Sequence, residues 1–366
     1  MSFAPPTPAR TAGLTAIALL AFAGNSLLCR TALRDSAIDA ASFTSVRLVS
    51  GALMLALLVA WRGRGRAGAN ARAPAGAPAG AQMAATRPWQ AGDWTSALAL
   101  FVYAAGFSFA YTSLSAATGA LLLFGVVQTS MIGWGLWRGE RLRPLQWAGL
   151  AAASAGLVWL LLPGLATPSL AAGLLMAAAG LAWAVYTLRG RVAGSQAGSP
   201  ASDATAVTAG NFLRAAPLAL ALSAALSALG WSPVRWDTAG LLLALASGAL
   251  ASGLGYAVWY TALRGLSATR AAILQLTVPA IATAGGVLLL GEPVTPSLLG
   301  ASAAVLGGVL LVILARPAAR PADQAADPAP SQALGQAASP SPDRSPDRSP
   351  NPSLDQTAPP AAAPGR

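Results

Sequence analysis

The chain contains a long internal repeat. Residues 115–162 align without a gap onto residues 267–314, at a constant offset of 152 positions. A Gly-Glu pair recurs in register, with its carboxylates at Glu140 and Glu292. Both copies run through long apolar stretches, and an odd number of such stretches separates them. If each stretch crosses a membrane, the second copy is inverted relative to the first, and a binding site can lie between the halves.

The composition indicates a membrane protein. Hydrophobic residues make up 55% of the chain and charged residues only 10%, whereas about a quarter of the residues in a soluble domain are charged. Several stretches of about 20 residues carry almost no charge, as membrane-spanning helices require. We therefore expect an all-α integral membrane protein whose ten transmembrane helices form two inverted five-helix repeats. The predicted spans lie near 11–29, 39–61, 93–113, 116–137, 144–162, 169–188, 204–228, 238–263, 266–290 and 295–315.

The spans divide the chain into regions. A short N-terminal cytoplasmic segment, residues 1–10, precedes the first repeat at 11–162, and the second repeat covers 168–315. Within the first repeat, a loop at 62–92 is rich in Arg, Gly, Ala and Pro and is expected to be flexible. The tail at 316–366 is rich in Pro, Ser, Asp and Ala. It carries too little apolar surface to fold, so we expect it to be disordered.

The arginines predict the orientation. All 23 basic residues are arginine, and the net charge is +11. If the N-terminus is cytoplasmic, Arg30, Arg34 and Arg235 are the only arginines between spans that fall outside. The positive-inside rule therefore favours two cytoplasmic termini. An Ala-Phe-Ala sequence at 21–23 leaves open a cleaved signal peptide, which would leave nine spans.

Missing residue types exclude several kinds of site. The chain has no Lys, no His and a single cysteine, Cys29. A Walker A loop, a Ser-His-Asp triad and an ordinary zinc site therefore cannot form. We expect no cofactor, no metal and no enzymatic activity. Because the arginines fall between apolar segments, nucleic acid is not an expected partner. The expected partners are the lipid bilayer and a small-molecule solute; whether a proton is coupled, and whether the protein is a monomer or a homodimer, are left open.

Polar and aromatic residues within the spans are the candidates for a substrate cavity. Arg47 and Arg214 lie in the second and seventh spans, where a charge is costly and usually faces a cavity or a partner. Both could instead snorkel to the interface. Aromatic walls with a few polar groups suit a small organic solute, although aromatic residues also pack or form interfacial belts. The other candidates are Asn25, Gln128, Trp183, Tyr186, Tyr256, Trp259, Tyr260 and Gln275.

Prolines and acidic turns have mainly structural interpretations. Pro217 and Pro279 remove helix hydrogen bonds and are predicted to kink the seventh and ninth spans, as hinges or as fixed bends. Glu140 and Glu292 lie in turns between spans, where a carboxylate can cap the amides of the following helix. No carboxylate remains within the predicted spans, so no proton relay is evident.

Several motifs occur in a characteristic order. They are RGERLRP at 138–144, GLAWAVY at 180–186, SGLGYAVWYTAL at 252–263 and LGEPVTP at 290–296. This pattern resembles the drug/metabolite transporter superfamily, specifically the ten-helix permeases with two EamA domains. Arg47 lies where that family commonly has an arginine. The chain departs from the family in lacking a Trp near Asn25, and in its long loop and its tail. The resemblance implies export or exchange of small metabolites, such as amino acids, through a central cavity.

Together these features predict a secondary transporter. It would export or exchange a small organic metabolite across the inner (plasma) membrane by alternating access, with Arg47, Trp183, Tyr186, Tyr256 and Gln275 as the foremost cavity residues. One alternative is a membrane-embedded enzyme that processes a lipid or an isoprenoid, although such sites usually need convergent acidic or basic residues. Another is a non-transporting scaffold or sensor that works through its loop and tail.

Overall fold

The computed structural model describes residues 8–71, 88–139, 141–161, 169–194, 203–263, 266 and 268–315. Helices dominate these residues, and they contain no β-strand, which confirms the predicted all-α fold. The helices are α1 (Pro8–Asp35), α2 (Ala40–Ala71), α3 (Trp94–Tyr111), α4 (Ala116–Trp137), α5 (Pro144–Leu161), α6 (Leu170–Gly194), α7 (Ala204–Ala228), α8 (Thr238–Leu245), α9 (Gly255–Leu263), α10 (Ala268–Gln275), α11 (Thr277–Leu290) and α12 (Pro296–Leu314). Glu140 and the predicted disordered tail at 316–366 lie outside the described residues, as does 72–87 of the predicted flexible loop.

The helices have the length and polarity that a bilayer requires. Within the described ranges, nine helical segments are long and apolar enough to cross a membrane. Large apolar side chains such as Leu57 and Leu288 point outward, exposed by 66% and 81%. Lipid can cover such side chains, and a helix satisfies its backbone polar groups internally. The fifth predicted span corresponds to α5 (Pro144–Leu161), which is not one of these nine segments. The total of ten crossings therefore stays a prediction.

Matched positions of the repeat take matched local structures. Gly139 and Gly291, which are 152 positions apart, both have positive φ angles, of 91° and 63°. Glycine adopts this left-handed conformation without a Cβ penalty, so it ends a helix sharply. The repeated glycines therefore mark the ends of α4 and α11.

Helices that the repeat makes equivalent also pack on each other. These pairs are α2 with α7, α4 with α11 and α5 with α12. In the last pair, a Cβ at Gly156 would lie 2.9 Å from a methyl carbon of Val305, and a Cβ at Gly308 would lie 3.1 Å from Cβ of Ala153. The repeat offset of 152 relates position 156 to 308 and position 153 to 305, so the two contacts are equivalent under the repeat. Such reciprocity is expected of a two-fold relation between halves, and the inversion itself stays a prediction.

Two of the later spans are irregular. A nine-residue π-helical segment, Ala246–Leu254, separates α8 from α9. Leu276 separates α10 from α11, and Pro279 is the third residue of α11, where a missing amide costs no intrahelical hydrogen bond. Pro217, by contrast, lies inside α7, which continues past it. The helical structure is therefore interrupted next to Pro279, whereas α7 continues through Pro217.

Candidate functional site

A cavity lies among the helices of both predicted repeats. Its empty volume, open space included, is about 420 Å³. The wall is mainly aromatic, with a few hydroxyl and amide groups and no charged side chain among its lining residues. The lining residues are Phe22, Asn25, Ser26, Tyr103, Phe107, Leu123, Phe124, Trp183, Ala251, Ser252, Tyr256 and Gln275.

The aromatic rings of the wall support one another. Trp183 of α6 is central, with its ring centroid 4.7 Å from that of Tyr103 and 5.3 Å from that of Tyr256. Phe22 packs edge-on against Tyr256 at 5.7 Å. These separations lie in the range that tilted and edge-to-face aromatic pairs prefer. The contacts join α1, α3, α6 and α9 into one aromatic wall.

The polar part of the wall is held by the π-helical segment. Ser247 Oγ donates a hydrogen bond of 2.6 Å to Asn25 Oδ1, and both residues are buried. Ser252, which lies in the same segment, accepts a hydrogen bond from Arg47 Nε at 3.4 Å. π-helical turns are often found at functional sites. Here the segment orients an amide and a hydroxyl that both line the cavity.

Arg47 lies directly behind this wall. Its side chain is buried, with only 1% of the residue exposed. Nη2 donates to the Tyr103 hydroxyl at 3.1 Å, and the guanidinium carbon lies 5.2 Å and 4.9 Å from the ring centroids of Tyr103 and Phe107. Nη1 has no hydrogen-bond partner among the described residues. Among the described residues, the groups that contact this buried positive charge are neutral.

The other predicted cavity residues are placed differently. Asn25, Trp183, Tyr256 and Gln275 line the cavity, whereas Gln128 and Tyr260 are not among its lining residues. Tyr186 stacks on Trp183 at 5.3 Å, and Trp259 packs on Phe22 at 5.7 Å, so both support the wall from behind.

Arg214 lies away from the cavity lining. It donates hydrogen bonds to the carbonyl oxygens of Ala91 at 2.6 Å, Gly210 at 2.9 Å and Trp89 at 3.0 Å. These contacts attach the segment before α3 to α7. The guanidinium therefore has a local structural role in this arrangement.

Tyr103 is the main cavity residue that the sequence analysis missed. It lies four positions before Phe107, so both rings occupy one face of α3. The sequence signal for this site was therefore an aromatic pair four residues apart, in the span that follows the one with Arg47. An aromatic pair of this kind is common in membrane helices, so the spacing alone does not indicate a cavity.

Glu292 joins three parts of the chain at one end of the bundle. Its carboxylate accepts hydrogen bonds from Ala116 N, at 2.8 Å and 3.1 Å, and pairs with Arg30 Nε at 3.2 Å. Its position in the sequence predicts that Glu292 caps the following helix, α12. In the structure it caps the distant helix α4. Thr295 caps α12 instead, and the proline at the start of α12 has no amide to cap. Arg30 also donates to the carbonyl oxygen of Tyr111 at 3.0 Å.

Comparison with known proteins agrees with this architecture. Residues 170–314 match the EamA-like transporter family. The chain is 53% identical to uncharacterized protein PA1977 of Pseudomonas aeruginosa over 307 residues, which cover 84% of this chain and 96% of that protein. A crystal structure of another protein, 20% identical in sequence, superposes with a TM-score of 0.54 over 85% of this chain and all of that chain. At this identity the superposition supports the fold alone.

The fold defines a multi-pass helical membrane protein. The chain belongs to the EamA-like transporter family, within the drug/metabolite transporter superfamily. The resemblance drawn from the sequence motifs is thereby confirmed.

Proposed function

We propose that the protein is a secondary transporter that exports or exchanges a small organic metabolite by alternating access. The observation that carries this proposal is the aromatic and polar cavity, to which helices of both predicted repeats contribute. Polar groups within a membrane protein are costly, and they are retained where a solute passes or binds.

The irregular helices support a change of conformation at this cavity. The π-helical segment contributes Ala251 and Ser252 to the lining, and α10 contributes Gln275, the last residue before the interruption at Leu276. In many secondary transporters, broken helices form the binding site between the halves. Rearrangement at these two places would alter the cavity wall directly.

The polar contacts between helix ends support cytoplasmic termini in the inner membrane. Arg62, late in α2, donates to Thr205 at the start of α7, at 2.8 Å. Arg189, late in α6, pairs with Asp93, just before α3, at 3.0 Å. Alternate crossings put all four ends on one side, and that side is the arginine-rich one. The positive-inside rule makes it the cytoplasmic side.

Flux measurement in proteoliposomes tests the proposal. The purified full chain is reconstituted and tested with amino acids, nucleosides, amines and drugs, with and without a pH gradient. We expect saturable flux of at least one solute above that of protein-free liposomes, and a gradient effect would identify proton coupling. Absence of flux for every solute, from correctly folded protein, would contradict transport.

Deletion of residues 317–366 separates transport from a scaffold role. The compact helical unit ends at Arg316, so the truncated protein retains every described helix and the whole cavity. We expect it to keep most of the flux of the full chain in the same assay. Loss of activity in a truncated protein that still inserts in the membrane would favour a scaffold or sensor that works through its tail.

A further inference from the structure

We propose that the transported solute carries a carboxylate or similar anionic group that pairs with Arg47, together with a flat apolar body that stacks on the aromatic wall. This proposal rests on the proposed transport function and specifies the chemical class of its substrate. Three observations carry it: the burial of Arg47, its contacts with the cavity wall, and the absence of acidic groups from that wall.

Within the part of the chain that the structure describes, the buried charge of Arg47 has no anionic partner. Burying an ion is costly unless an opposite charge and hydrogen bonds compensate for its lost hydration. The described ion pairs use other arginines, and join Glu292 to Arg30, Asp35 to Arg34 and Asp93 to Arg189. Two hydroxyl groups and two ring faces stabilise the Arg47 charge only in part. An anion supplied by a ligand would complete this compensation.

The contacts of Arg47 show how a ligand can reach it. Its two hydrogen-bonding partners, Tyr103 and Ser252, both line the cavity. A carboxylate that takes the place of the Tyr103 hydroxyl would meet Nη2, and Nη1 is available as a second donor. Guanidinium groups bind carboxylates through two parallel hydrogen bonds, which gives geometric selectivity as well as affinity. The aromatic rings around Trp183 are then next to the rest of the solute.

The position of Arg47 is fixed by close packing of its helix. A Cβ at Gly248, in the π-helical segment, would collide with the Arg47 carbonyl oxygen and the Ser50 hydroxyl. The α2 backbone therefore lies directly against the π-helical segment at this level. The backbone of Arg47 is held by this packing and its guanidinium by Tyr103 and Ser252, so less ordering is needed when an anion binds.

The charges around the cavity also discriminate against other solutes. No acidic side chain lines the cavity, so a cationic solute would meet the Arg47 charge without a counter-ion. A neutral analogue would stack equally well but would leave the guanidinium without its partner. Selectivity of this kind combines attraction for one ligand with a penalty against the others.

Three compounds of similar shape test this inference: phenylacetate, phenylacetamide and phenethylamine. Equilibrium binding to the purified full chain in detergent is measured by calorimetry, and counterflow is measured in proteoliposomes. We expect phenylacetate to bind about tenfold or more tightly than the amide, with the amine weakest. Arg47→Gln should remove the preference for the anion, and Arg47→Lys should restore part of it. The matched control Arg214→Gln should keep it, because Arg214 lies away from the cavity.

The outcomes separate this inference from the proposed function. Equal binding of phenylacetate and the amide, failure of phenylacetate to bind, or an anion preference that survives Arg47→Gln would overturn the anion site. Transport of another solute could still be observed in each of those cases. Tight, Arg47-dependent binding of the anion without flux of any solute would instead keep the anion site and overturn transport.

Discussion

Replacing Gly308 by leucine is expected to abolish correct folding, whereas leucine at the adjacent Gly307 should be tolerated. A Cβ at Gly308 would collide with the Gly149 carbonyl oxygen and would lie 2.7 Å from Ala153 N. Both are backbone atoms of α5, so neither can move aside without separating α5 from α12. A Cβ at Gly307 would have no atom within 4 Å. Small residues that allow such close approach are typical of packed membrane helices.

The expected magnitude follows from the atoms involved. Overpacking that nearby side chains can relieve lowers the free energy of unfolding by about 1–3 kcal/mol. A collision with backbone atoms should lower it by more. Fluorescence-detected size-exclusion chromatography in mild detergent measures the outcome as loss of the monodisperse peak for Gly308→Leu. Equal profiles for the two variants would contradict the close packing of α5 on α12.

The second large effect is expected for Glu292→Gln. The Glu292 side chain is only 6% exposed, and the substitution leaves Arg30, 15% exposed, without its counter-ion. Breaking a buried ion pair by removing one partner costs about 3–5 kcal/mol. The hydrogen bond with the first amide of α4 would also lose its charge assistance. We therefore expect a large decrease in the free energy of unfolding.

Asp35→Asn is the matched control. Asp35 pairs with Arg34 at 2.7 Å, but these side chains are 43% and 33% exposed. Exposed ion pairs contribute about 0–1 kcal/mol, so this substitution should change stability little. Chemical unfolding in detergent micelles compares the two variants. Equal destabilisation by Asp35→Asn and Glu292→Gln would contradict a stabilising role for the buried contacts of Glu292 with Arg30 and Ala116 N.

The fold was largely predictable because its signals are local. Apolar length located the spans, and the repeated Gly-Glu pairs at 139–140 and 291–292 indicated turns, where the structure gives both glycines a positive φ angle. The π-helical segment was not predictable, since its residues, Ala, Ser, Gly and Leu, are also common in regular membrane helices. The segment packs closely against α2, which is distant from it in the sequence.

The candidate site was predictable only in part, because its partners are distant in the sequence. Composition could place Arg47 and Trp183 within spans, but not show that Tyr103 lies between them. Arg214 was an equal candidate until its partners were known. They are backbone carbonyl groups at positions 89 and 91, which no side-chain motif reveals. Glu292 likewise caps a helix that begins 176 positions earlier.

Access of a thiol reagent to one cavity position tests the central claim, that this cavity opens to each side of the membrane in turn. Cys29, the single and buried cysteine, is replaced by alanine, and Gln275→Cys is then introduced in the cavity wall. Ile17→Cys, 55% exposed on the outer face of α1, is the control. A membrane-impermeant reagent is applied to right-side-out and to inside-out vesicles. The account predicts labelling at position 275 from both sides and none at 17, and labelling of 275 from only one side would contradict it.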